Sequence, residues 1–162
     1  MEARRQARKY AVQATFQYFF SNEKINNVIN EFSDYRIIRN KKIDKNYDER
    51  FFFSIVRGVD KNIQFIGQVI KSNLSKEWEL NRIDLTMKSI ICLAVFELNY
   101  FHKIPYKVII NEYVSIAKMY FDDKDTGFIN GILDNIARKV RKIDTKKNEW
   151  NWNYKKVFST FK

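Results

Sequence analysis

Residues 84–134 read DLTMKSIICLAVFELNYFHKIPYKVIINEYVSIAKMYFDDKDTGFINGILD. The stretch divides into three helical patterns joined by two short breaks. The first break, His102-Lys103-Ile104, stands before the only proline, Pro105; the second is Asp122-Asp123-Lys124-Asp125. The first pattern contains the unbroken apolar run Ile90-Ile91-Cys92-Leu93-Ala94-Val95-Phe96. A helix that is apolar all round is buried all round, so this segment is expected at the centre of the fold.

Working outward, the same periodicity recurs. Residues 3–20 predict a first helix with Ala7, Ala11, Ala14 and Tyr18 on one stripe, where small side chains admit a close neighbour. Ser21-Asn22 reads as a helix stop and the next cap. Ile25, Val28, Ile29 and Phe32 predict a short amphipathic helix. Residues 36–46 form a basic connector, and Asp48 to Ile70 reads as one long helix containing Gly58 and Gly67. Close packing would rationalise both glycines and also Gly131, each costing about 1 kcal/mol of helix propensity. Ser75–Trp78 reads as a turn. Asp84 is positioned to cap the central helix, Pro105 suits a first helical turn, and Asp125 or Thr126 is expected to cap the last helix. Ile109, Ile110, Tyr113, Ile116, Ala117 and Tyr120 make one predicted buried side. Phe128, Ile129, Ile132, Leu133, Ile136 and Val140 make another. The scarcity of Gly (4) and Pro (1) in 162 residues favours this all-α reading over a turn-rich β fold. The division expected is one helical domain over 1–141 and a basic, aromatic tail over 142–162.

The net charge of +11 suits an anionic partner, nucleic acid or an acidic membrane surface, if the charge is clustered. Arg4, Arg5, Arg8 and Lys9 share an arc of about 140° at the start of the first helix. Positive charge there opposes the helix dipole, and arginine forks suit phosphates and base edges. The same sector later carries Val12, Phe16 and Phe19. These either pack under a neighbouring helix or form an exposed docking patch. The tail's Trp150, Trp152, Tyr154, Phe158 and Phe161 could dock on the body or stack on bases.

Catalytic chemistry finds little footing. His102 is the only histidine and has no nucleophile beside it; Cys92 is the only cysteine and sits in the apolar run. A disulfide framework and a Cys-based zinc site are excluded within one chain. No phosphate loop or dinucleotide fingerprint is present, and the Asp122–Asp125 cluster lacks calcium-loop spacing. No cofactor and no metal are expected. The longest apolar run is far short of the roughly 20 residues that span a bilayer, and a cytoplasmic location is expected.

Four segments together resemble the NusB family of bacterial transcription antitermination factors. They are RRQARKYAVQATFQ near the start, LAVFEL in the central helix, IPYKVIINEYVSIAK and FINGILD. The resemblance implies an all-α, NusB-like fold of about seven helices in two small bundles sharing a core. It implies binding of boxA-type single-stranded RNA from rRNA leader transcripts, together with the ribosomal small-subunit protein NusE. That assembly joins the RNA polymerase antitermination complex and promotes rRNA synthesis. Carried over by position, Arg4, Arg5, Arg8 and Lys9 fall on the RNA-binding start, and Lys124, Asp125 and Phe128 on a second RNA-proximal stretch. For Phe128, ordinary core packing is an equal alternative. Phe16 and Met87 fall near the protein partner. The resemblance leaves a homodimer open, because dimeric NusB-like proteins exist beside monomeric ones. Cys92 and Ser115 replace an Arg and a Glu of the family pattern, and their coupled loss would remove a buried ion pair. Phe121 and Asp125 also depart from it. The competing reading is a helical protein–protein adaptor without specific RNA binding.

Overall fold

A computed structural model describes residues 2–37, 47–75 and 83–142. Seven α-helices form there: α1 (Glu2–Ser21), α2 (Ile25–Glu31), α3 (Glu49–Lys61), α4 (Ile63–Lys71), α5 (Leu85–Tyr100), α6 (Tyr106–Ala117) and α7 (Asp123–Val140). A π-helical turn, Phe32–Ile37, continues α2. Among the described residues there is no strand. Residues 36–37 of the expected connector end the π-helical turn, while its residues 38–46, the turn at 76–78 and the tail beyond Lys142 lie outside the described residues.

The central position of α5 follows from its composition. Met87 and every residue from Ser89 to Asn99 are buried. Helices α1, α3, α4, α6 and α7 all pack against α5. Thus α1–α3 form one small bundle, α4–α7 the other, and one apolar core runs through both. The Asp84 carboxylate caps α5 by accepting from the Thr86 and Met87 amides at 2.8 and 3.2 Å. Its far end is closed by Arg141, whose guanidinium donates to the Leu98, Phe101 and His102 carbonyls at 3.0, 3.2 and 2.9 Å. Burial of Arg141 lowers its pKa.

Several expectations need correction. The long helix over 48–70 is two helices, broken at Asn62. The Asn62 amide donates to the Gly58 carbonyl at 2.8 Å, and its oxygen accepts from Tyr100 at 2.7 Å. A short amide side chain that competes for backbone groups ends a helix in this way. Gly58 is required: a methyl group there would overlap the Phe96 ring. Gly67 and Gly131 have open space where a Cβ would stand, so close packing does not explain them. Tyr120 lies beyond α6 and is 45% exposed. Helix α7 is capped by Asp122, three residues before Asp125, whose amide it accepts at 2.9 Å. Asn22 stops α1 with a left-handed φ of 56°, but Lys24, without a capping side chain, precedes α2. Pro105 occupies the position just before α6. Cys92 is buried whereas Ser115 is exposed, so the two positions do not share a buried site.

Candidate RNA and protein interface along helix α1

The basic end of α1 is built into the body through carboxylates on α5 and α6 and the one that caps α3. Arg8 is 4% exposed. Its Nε and Nη2 donate to the two carboxylate oxygens of Glu97 on α5, at 2.9 and 2.8 Å. The Tyr113 hydroxyl donates to the same Glu97 at 2.6 Å. The Arg8 guanidinium also lies 5.0 Å from the Phe51 ring centre. Burial opposes its charge, but the hydrogen bonds and field of Glu97 leave its pKa raised. Burial first, and then Glu97, hold the Tyr113 hydroxyl well above its usual pKa. This desolvated fork-on-fork pair is a structural bolt between α1 and α5. Arg8 is therefore corrected from a candidate RNA contact to an internal residue.

Arg4 and Arg5 remain at the surface, with partners of their own. Arg4 Nε is 3.3 Å from the Asp48 carboxylate, with its side chain 52% exposed. Arg5 Nε and Nη2 donate to Glu112 of α6 at 3.1 and 2.9 Å, and its Nη1 lies 3.5 Å from Glu2. Glu112 also sits 3.8 Å from Arg8, so it bridges the exposed arginine and the buried pair. The hydrogen bond from Arg5 leads the causes that lower the Glu112 pKa, with Arg8 and half-buried Lys9 adding to it.

The other end of α1 is different in kind. Phe16 and Phe20 stack at 6.0 Å with an interplanar angle of 7°, and they are 37% and 74% exposed. With Val12, Glu31, Thr86 and Tyr120 they line a groove of about 460 Å³ between α1, α2, α5 and the end of α6. Phe19 instead lies half-buried under the Lys88 ammonium, 4.5 Å from its ring centre. Of the two readings of this sector, packing thus holds for Val12 and Phe19, and exposure for Phe16. Phe20 and Thr86 were not singled out from the sequence, and Tyr120 was expected on a buried face. Phe20 falls at i+4 from Phe16, and that spacing was the available signal. Met87 is 4% exposed and belongs to the core, so it is corrected as a partner contact; its neighbour Thr86 lines the groove.

The second stretch that the resemblance points to, Lys124, Asp125 and Phe128, lies in the first turns of α7. Lys124 is exposed, Asp125 is half-buried, and Phe128 packs partly against the core. Among the described residues no group of three or more His, Cys, Asp or Glu could hold a metal. No helix there is long and apolar enough to cross a membrane.

The family model described as NusB family matches residues 5–138. The chain belongs to the NusB family. A Transcription antitermination protein NusB of Caulobacter vibrioides is 41% identical over 143 residues, covering 87% of this chain and 96% of the relative. The protein of the same name from Buchnera aphidicola subsp. Cinara cedri is 42% identical, covering 88% and 96%. Among solved structures, T. maritima NusB is 31% identical with a TM-score of 0.69, covering 83% of this chain and 90% of that one. A crystal structure of antitermination factors NusB and NusE in complex with dsRNA has a TM-score of 0.73 at 22% identity, covering 86% and 98%. Its likeness to this chain is one of NusB fold.

Proposed function

We propose that the protein is a transcription antitermination factor that binds boxA-type RNA of rRNA leader transcripts together with the small-subunit protein NusE, promoting rRNA transcription. It works in the cytoplasm, by binding rather than by catalysis. Relatives about 40% identical carry the antitermination name, and NusE and RNA are the partners of the fold-related complex. The observation that carries the reading is the two-part surface of α1. Its surface cations, Arg4, Arg5 and Lys9, precede on the same helix an aromatic groove that is open among the described residues. Phosphates suit the first part and an apolar protein segment suits the second. Lys124, Asp125 and Phe128 extend the RNA side in this proposal, with Phe128 available for stacking through its exposed part.

The test is the affinity for a boxA-type RNA as a function of salt. Each phosphate contact contributes about 0.7 to the slope of log affinity against log salt for a single strand. A steep negative slope, reduced by Arg4→Gln or Lys9→Gln, is expected. A flat salt profile contradicts phosphate contacts and leaves the purely protein-binding adaptor.

A further inference from the structure

Glu112 stands out because it lies within the cationic end of the proposed RNA surface. Its side chain is 14% exposed, and it holds the Nε–Nη2 edge of Arg5 with two hydrogen bonds. That edge is one of the two a phosphate can take in a forked contact. A carboxylate already there neutralises Arg5 in the free protein, and its second neighbour is Arg8, whose own charge is matched by Glu97. The arginines of this end are thus balanced before any ligand arrives.

We propose that Glu112 is a specificity-determining residue: it holds Arg5 back from random polyanions and yields it only to an RNA whose other contacts offset the exchange. The inference rests on the RNA-binding reading above. Non-specific binding is almost wholly electrostatic, so a masked arginine weakens it directly. A sequence-specific RNA has base contacts in addition and can draw Arg5 away from Glu112. Discrimination then comes from an element that disfavours the wrong ligand as well as from contacts to the right one. Glu112 acts through Arg5 and is a positioning residue, touching no RNA itself.

The experiment measures the affinity of the full chain for a boxA-type RNA and for a scrambled RNA of equal length. Wild type, Glu112→Gln, Arg5→Gln and the double variant are compared across salt. Glu112→Gln should raise scrambled-RNA affinity about tenfold and steepen its salt slope by about one phosphate contact. Its effect on boxA-type RNA should be smaller, so the ratio of the two affinities falls at least threefold. In the Arg5→Gln background the same change should do little, because the group it masks is gone. Arg5→Gln alone should weaken boxA-type binding several-fold and scrambled binding less than twofold, a result independent of how well Glu112→Gln folds. Equal rises for both RNAs, or equal losses on removing Arg5, overturn the proposal. Wild type that does not distinguish the two RNAs overturns the RNA-binding reading itself, a separate outcome.

Discussion

The two ends of α1 use one helix for opposite purposes. At the start, cationic side chains are tied to the capping carboxylate of α3 and to carboxylates of α6 and α5: Arg4 to Asp48, Arg5 to Glu112 and Arg8 to Glu97. At the far end, Phe16 and Phe20 pair with each other and line a groove that is open among the described residues. The end that looks most available for a ligand already has its arginines paired with carboxylates, one of them buried, and the end that looks most like core exposes its rings. Charge needs a partner wherever water is excluded, whereas an apolar ring can remain at the surface at modest cost.

The largest effect should come from the buried bolt. Glu97→Ala leaves the Arg8 charge buried without its carboxylate and should cost about 3–5 kcal/mol in urea unfolding. Replacing both partners with apolar residues of similar volume should cost less than that single change. A loss below about 1 kcal/mol for Glu97→Ala would mean that Arg8 escapes to water. By contrast, Phe20→Ser should change stability by no more than about 0.5 kcal/mol, since Phe20 is 74% exposed. A cost of several kcal/mol would move Phe20 into the core and erase the contrast. The smallest effect concerns Glu112. Its folded pKa lies below the ordinary 4.5, so its carboxylate stabilises the fold above that value, and the contribution is lost as pH falls through the folded pKa. Wild type should therefore exceed Glu112→Gln slightly in urea midpoint at pH 7, with the gap closing once the pH falls below the ordinary carboxylate range. A gap that widens in acid would reverse the sign of this linkage.

Much of the architecture was legible because it depends on periodicity. The apolar run of α5 and the cap at Asp84 follow from local rules, and both are in place. The break at Asn62 left only a weak signal, one Asn inside an unbroken apolar period, and the Tyr100 hydroxyl that holds its oxygen comes from another helix. Gly58 and Gly67 look alike in sequence, yet only Gly58 faces the Phe96 ring. The internal role of Arg8 did leave a signal: Glu97 directly follows the apolar run and is followed by Leu98, and a buried acid requires a cation. Arg8 also precedes Val12 by one turn, and Val12 is 1% exposed. The groove was half legible: Phe16 was marked, but Thr86 and Tyr120 join it only through the tertiary arrangement.

The division of labour along α1 is tested most directly by titrating boxA-type RNA with and without NusE into two variants, Arg4→Gln/Arg5→Gln and Phe16→Ser/Phe20→Ser. The arginine variant should lose RNA affinity in both settings. The phenylalanine variant should match wild type on RNA alone and lose only the tightening that NusE brings. An arginine variant that binds RNA like wild type, or a phenylalanine variant that loses RNA binding without NusE present, would contradict the account.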